Sequence, residues 1–221
     1  MTFNNVSTFK NLGLSAVLLS GVILLSSCSS LKPPESGATD EYKPVITHTA
    51  VLVTEKGEIE LELYGEDAPK TVYNFVELAK QDVYDSVLFH RVVKDFVIQG
   101  GDPKSKDLSQ KPYWGQGGTS VYGGMSFVDE LNPEAPSYKR GYVTGALAMA
   151  NAGPNTNSSQ FFIVTKNAGL PHAYTIFGFV RSGMDVVRLI EEGVGAPPKN
   201  PVKILDVKVK EYQKIPKTAI E

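Results

Sequence analysis

Residues 58–63 read Glu-Ile-Glu-Leu-Glu-Leu, so Ile59, Leu61 and Leu63 fall on one side of an extended chain and Glu58, Glu60 and Glu62 on the other. Successive side chains of a strand point to opposite faces, which gives this run one face for a core and one for water. A lone strand of this kind cannot bury its apolar face, so the sequence must supply partners. The run Val45–Val53, joined to it by Thr54-Glu55-Lys56-Gly57, makes the first, a β-hairpin. Further short strand-like runs follow at Val87–Val93, Phe96–Gln99, Ala146–Ala150, Phe161–Thr165, Thr175–Val180 and Lys203–Val209.

Only two stretches carry a helical rhythm. Ala68-Pro69-Lys70-Thr71 opens one that runs to about Lys80, with Pro69 early, where its missing N–H costs nothing, and Val72, Phe75, Val76 and Ala79 as the apolar stripe. The other spans Met184–Glu192 and stops at Gly193. Many strands, two helices and no alternating strand-helix order predict a mostly β fold, an antiparallel closed sheet with helices over its open ends.

Composition then removes whole classes of function. The chain has 22 Lys and Arg against 24 Asp and Glu, for a formal charge of −2, so it offers no basic surface for nucleic acid. A single cysteine, Cys28, and three histidines leave no material for an internal disulfide and little for a zinc cage. No G-x-S-x-G, phosphate-binding G-x-x-x-x-G-K-[ST] or H-E-x-x-H pattern occurs. The Gly115-Gln116-Gly117-Gly118 cluster lacks the strand and helix a dinucleotide site needs, and Asp129-Glu130 reads as a solvated turn rather than a metal site.

The first residues read differently from the rest. Residues 1–27 contain no acid and hold an apolar stretch, Leu12–Leu25, too short for a comfortable membrane span. With Leu25-Ser26-Ser27-Cys28 behind it, this resembles a bacterial lipoprotein signal peptide, whose cysteine is lipidated after cleavage. The resemblance implies a chain lipid-anchored through Cys28 on the extracytoplasmic side of a bacterial membrane; a retained anchor helix is the alternative. Residues 28–43 then form a polar tether, residues 44–212 the folded domain and residues 213–221 a frayed, solvated tail.

Two strings do not look like ordinary core or loop. One is Phe89-His90-Arg91-Val92-Val93-Lys94-Asp95-Phe96-Val97-Ile98-Gln99-Gly100-Gly101-Asp102, which sets an Arg and a Gln among apolar residues. Alone it would pass for a strand pair with one edge Arg in a surface ion pair. The other is Met149-Ala150-Asn151-Ala152-Gly153-Pro154-Asn155-Thr156-Asn157-Ser158-Ser159-Gln160-Phe161-Phe162-Ile163, an Asn-rich loop running into an aromatic strand. In this order, the two closely resemble the cyclophilin family of peptidyl-prolyl cis/trans isomerases, over about Val45 to Val209.

That resemblance implies an eight-stranded antiparallel β-barrel, closed and capped by two helices, acting on X-Pro bonds of proline-containing polypeptides as a monomer, with no cofactor and no metal. Position by position, it makes Arg91 the catalytic guanidinium and gives Phe96, Val97, Phe162 and Leu170 to the prolyl pocket. Gln99, Ala150, Asn151, Ala152 and Gln160 would line the groove for the substrate backbone, Gly115 would sit beside it, and Tyr174 stands where many members have His. His90 is read as structural, behind the catalytic Arg. There are departures: a longer, charged loop at Pro103–Trp114, Val97 in place of a commoner Met, and Gly169 in place of the Trp that contacts cyclosporin, which predicts weak sensitivity to that inhibitor. The rival readings are a membrane-tethered prolyl-peptide binding or chaperone module with little catalysis, and a small-ligand lipoprotein with an enclosed barrel lumen.

Overall fold

The computed structural model describes residues 43–221. The expected signal peptide, Cys28 and almost all of the tether therefore lie outside the described residues.

The hairpin forms as its alternation requires. Strand β1 (His48–Thr54) pairs antiparallel with β2 (Gly57–Leu63), setting Leu52 opposite Ile59 and Ala50 opposite Leu61, all buried on the inner face. At the turn, the Thr54 hydroxyl donates to Gly57 O (2.8 Å) and accepts from Lys56 N–H (3.1 Å). The remaining strands are β3 (Arg91–Val93), β4 (Val97–Gly100), β5 (Ala146–Met149), β6 (Phe161–Val164), β7 (Ile176–Ser182) and β8 (Ile204–Glu211). They join in one eight-stranded antiparallel sheet of order β3-β4-β6-β5-β7-β2-β1-β8.

The sheet is mostly closed upon itself but its ends do not pair, so the barrel is open rather than closed. The reason lies in Val87–Val93, which the apolar pattern marks as a single strand. Only Arg91–Val93 joins the ladder. Upstream, the chain crosses the seam at one isolated bridge, Leu88 to Lys203, with Phe89 N–H donating to Val202 O (2.9 Å) and Ser86 N–H to Ile204 O (2.8 Å). Val87 and Phe89 are still fully buried, so apolar side chains there serve the core without a continued strand.

Helix α1 (Pro69–Lys80) lays Val72, Phe75, Val76 and Ala79 over one opening. Its N-terminus has no local side-chain cap; instead the Glu130 carboxylate accepts from Lys70 N–H (2.9 Å), Thr71 N–H (2.8 Å) and Thr71 Oγ1–H (2.8 Å). Asp129-Glu130 is thus no solvated turn: a carboxylate here satisfies helix N–H groups that have no partner within the helix. Two short helices, α2 (Pro136–Arg140) and α4 (Lys217–Ile220), accompany the second long one, α3 (Met184–Glu191). The tail is not frayed either. Tyr212 and Gln213 N–H both donate to Thr47 O (2.9 and 3.1 Å), and Lys70 Nζ reaches Glu221 O (2.9 Å), bringing the chain end back to α1.

The interior is filled by side chains. The ring of Phe75 lies 5.0 Å from Tyr84, 5.8 Å from Phe161 and 5.5 Å from Phe177, all four fully buried with Leu52, Ile59 and Leu61. Such a barrel holds no lumen for a ligand. Any site must therefore lie on the outer face.

Candidate active site

Strand parity decides which residues face outward. Arg91 pairs with Gln99, Gln99 with Phe162, Val97 with Val164, and Phe162 with Ala148, so these side chains share the outer face of β3, β4, β6 and β5. Their neighbours in sequence, Val92, Ile98, Phe161 and Ile163, point into the barrel. On the outer face, Val97, Ala146, Ala148, Phe162, Val164 and Ile176 form a second apolar cluster with Tyr142, against which Phe96, Ala150, Leu170 and Tyr174 pack.

In this cluster sits a cavity of about 320 Å³, lined by Arg91, Phe96, Val97, Gln99, Ala150, Asn151, Phe162, Leu170 and Tyr174. Every one of them is a residue that the sequence singles out. Phe162 forms a wall with Tyr174 set edge-on to it (5.5 Å, 86°), and Leu170 comes from the loop that follows β6. Small side chains at Ala148 and Ala150 leave the hollow between the rings.

Arg91 is held at one side of this cavity. Its Nη1 donates to Gln99 Oε1 (3.3 Å) and its Cζ lies 6.0 Å from the centre of the Phe96 ring. Among the described residues it has no carboxylate in an ion pair, which removes the surface-pair reading of this Arg. Gln99 Nε2 donates in turn to Gln160 Oε1 (3.0 Å), and Gln160 Nε2 donates to Gly115 O (3.0 Å) and Gly117 O (2.6 Å). One amide chain thus runs from the glycine loop to the guanidinium, so each polar group is fixed by the next.

The remaining expected residues, Gly115, Ala152 and Gln160, line an adjoining cavity of about 310 Å³ that shares Gln99, Ala150 and Asn151 with the first. Gln116, Gly117, Gly118, Met125, Ser126, Thr156 and Ser158 complete that cavity, and none of them was singled out by role. Nor was Asp102. Fully buried, its carboxylate accepts from Gly115 N–H (2.6 Å), Gly117 N–H (3.2 Å) and Lys104 N–H (2.8 Å) and so fastens the glycine loop. A Cβ at Gly117 would run into that carboxylate, and Gly115 has φ of +88°. The acid directly after Gly100-Gly101 was the available signal.

His90 lies buried behind this loop, with a Cβ at Gly115 falling 3.5 Å from its ring. Burial pushes its pKa down and so favours the neutral ring, and neither ring nitrogen finds a well-aligned partner, so the imidazole packs behind the loop without joining the amide chain. The longer loop at Pro103–Trp114 is two short 3₁₀ segments, begun by the side chains of Asp102 and Asp107, with the Trp114 indole N–H donating to Asp107 O (3.1 Å). Among the described residues, no group of three His, Cys, Asp or Glu is placed to hold a metal ion.

A family model described as cyclophilin type peptidyl-prolyl cis-trans isomerase/CLD matches residues 49–209. The peptidyl-prolyl cis-trans isomerase-like 1 of Rhizopus delemar is 49% identical over 139 residues, 62% of this chain and 76% of its own. Peptidyl-prolyl cis-trans isomerase ppi1 of Schizosaccharomyces pombe is 48% identical over 158 residues, 70% of this chain and 94% of its own. The isomerase-like 1 protein of Mus musculus is 45% identical over 160 residues, 70% of this chain and 87% of its own. Among solved structures, a Cryptosporidium parvum cyclophilin-type isomerase matches with a TM-score of 0.65 and 33% identity over 74% of this chain and 99% of its own; it was determined in the presence of the dipeptide Ala-Pro.

These relatives correct one expectation. They are eukaryotic isomerases, which does not fit a bacterial lipoprotein lipid-anchored outside the cytoplasm. Among the described residues, no helix is long and apolar enough to cross a membrane.

Proposed function

The chain belongs to the cyclophilin-type peptidyl-prolyl cis-trans isomerases, and from that premise we propose that it turns X-Pro bonds in proline-containing polypeptides by donating a hydrogen bond from Arg91 to the prolyl nitrogen. The observation that carries this reading is the position of Arg91: a guanidinium with no acidic partner among the described residues, steadied by Gln99, at the side of an apolar cavity large enough for a proline ring.

The chemistry asks for this arrangement. An X-Pro bond is planar by resonance, with a rotation barrier of about 18–20 kcal/mol. As the bond twists, the nitrogen becomes pyramidal and gains a lone pair absent from both planar isomers. A donor aimed there binds the twisted state more tightly than either ground state, which is the condition for catalysis. A turnover of about a thousand per second corresponds to a barrier near 13 kcal/mol, so roughly 5–7 kcal/mol must be removed.

One charge-assisted hydrogen bond contributes about 1.5–3 kcal/mol in ordinary settings and more in a dry, preorganised one. The cavity has to supply the rest. Phe96, Phe162, Val97 and Leu170 would grip the ring while the polar edge of the groove holds the chain before it. There the main-chain N–H and C=O of Asn151 have no hydrogen bond among the described residues, while its side chain donates to Ala173 O (2.8 Å) and accepts from Gly153 N–H (3.3 Å). That leaves both backbone groups for a substrate strand. The Ala-Pro dipeptide present with the Cryptosporidium relative supports a prolyl ligand of this class.

The test is Arg91→Ala assayed on a prolyl tetrapeptide with a coupled protease. The expected result is a kcat/KM lower by at least about tenfold, with an unchanged circular dichroism spectrum. Full turnover by the variant would remove Arg91 from the mechanism.

A further inference from the structure

Leu170 and Tyr174 belong to no strand or helix, yet they form one wall of the cavity. The connection between β6 and β7, residues 165–175, must therefore be held by something else. Phe96, Thr144, Met149, Asn151 and Glu130 each bond it at one residue, and a further residue outside the site as read from sequence bonds it at two, on either side of Leu170. Tyr142 O accepts from Ala168 N–H (3.0 Å), and the Tyr142 hydroxyl both accepts from Tyr174 N–H (3.1 Å) and donates to Tyr174 O (2.9 Å). Leu170 lies in the span between these two attachments.

The same ring is buried to 5% exposure on the outer apolar cluster, edge-on to Tyr174 (6.3 Å, 80°) and beside His172 (5.6 Å), whose own ring stacks on Tyr138 (4.0 Å). Burial pushes the Tyr142 pKa up, so the hydroxyl keeps its proton and can donate and accept at once.

We propose that Tyr142 is a positioning residue for this pocket: its phenol fixes the main chain of Tyr174, and with it the wall that receives the proline ring. The proposal rests on the isomerase reading above. It makes affinity for prolyl peptide depend on a hydroxyl that never touches the substrate. Both backbone groups of Tyr174 are spent on that hydroxyl, so removing it releases the main chain of Tyr174 itself while leaving the aromatic packing and the neighbouring Asn151–Ala173 bond in place.

The experiment compares the unaltered protein, Tyr142→Phe and Tyr138→Phe, the last losing a hydroxyl from the neighbouring ring that bonds nothing in the wall. Amide hydrogen exchange is read at Tyr174, and kcat, KM and the dissociation constant of an Ala-Pro peptide are measured well below the melting temperature. In Tyr142→Phe the Tyr174 amide should exchange at least about tenfold faster, with KM and the dissociation constant raised about threefold or more and kcat within about twofold. Tyr138→Phe should change none of these.

An unchanged Tyr174 amide, or faster exchange with unaltered peptide affinity, overturns the proposal. If Tyr142→Phe does not fold, exchange in the unaltered protein decides: a Tyr174 amide no better protected than that of His172 overturns it. If the unaltered protein binds the peptide but does not isomerise it, the isomerase reading fails, and the dissociation constants alone judge the positioning role.

Discussion

Two apolar clusters lie back to back across β4, β6, β5 and β7, and they differ in what their packing leaves behind. Inside the barrel, Phe75, Tyr84, Phe89, Phe161 and Phe177 meet with no exposed surface at all. Outside, Val97, Ala146, Ala148, Phe162 and Val164 form a floor whose small central side chains leave a cavity of about 320 Å³. The register makes the division, since each strand sends alternate residues to either side. Phe161 and Phe162 are adjacent in sequence and serve opposite ends. The inner cluster supplies stability because nothing in it is open; the outer supplies a site because its packing is incomplete.

That division makes the adjacent pair the sharpest place to break the comparison. Phe161 meets Phe75, Tyr84 and Phe89 at 5.8, 5.8 and 6.4 Å, so Phe161→Ala should cost about 3–5 kcal/mol of unfolding free energy. Where it still folds, its kcat/KM should stay within about threefold of the unaltered protein. Phe162→Ala removes one wall of an open hollow and should cost less than half as much stability, while kcat/KM falls at least about tenfold. Urea unfolding beside a protease-coupled assay reads both. Equal losses of activity in the two variants would show that the clusters are not separable.

How much of this was legible in the sequence follows from the same geometry. Local pattern marked both kinds of strand, by alternation at Glu58–Leu63, where one face is buried, and by a continuous apolar run at Phe161–Val164, buried on both faces. It does not say which strands end beside each other, so the open seam between β3 and β8 was not legible, and Val87–Val93 looked like a longer strand than it is. Long-range polar partners leave no local mark either: Glu130 caps a helix that begins sixty-one residues earlier, at Pro69. Tyr142 has no motif around it at all. The site residues were legible only through the family resemblance, because Arg91, Asn151 and Tyr174 come from separate segments that spacing alone cannot bring together.

A smaller effect sharpens the outer region alone. Gly169 is exposed at the rim, and a Cβ built there meets nothing within 4 Å. A large ring at this position would extend the wall begun by Leu170 without disturbing the packing below. Gly169→Trp should leave unfolding within about 0.5 kcal/mol of the unaltered protein and tighten cyclosporin binding by about tenfold, or 1.4 kcal/mol. Calorimetric titration of both proteins checks this. Equal affinity would mean that the open rim is not what weakens the inhibitor.

The weakest effect separates the regions by pH. His90 and His48 are both buried, and burial, as the first cause in each, lowers their pKa below the ordinary 6.5. For His48, nearby Glu211 opposes the shift without reversing it. A base with a depressed folded-state pKa binds its proton more readily when unfolded. Its contribution to stability is therefore complete above about pH 6.5 and is lost as the pH falls toward the folded value. The expected slope is at most about 1.4 kcal/mol per pH unit for each histidine. The outer cavity is lined by Arg, Gln, Asn, Phe, Tyr and aliphatic side chains, with no histidine or carboxylate among them. Between pH 6 and 8 its kcat/KM should thus stay flat within about twofold, measured where the protein is fully folded, while urea midpoints fall toward the acid end. A kcat/KM that titrates together with stability would tie the buried imidazole behind Gly115 to the reaction, and the two faces would no longer be independent.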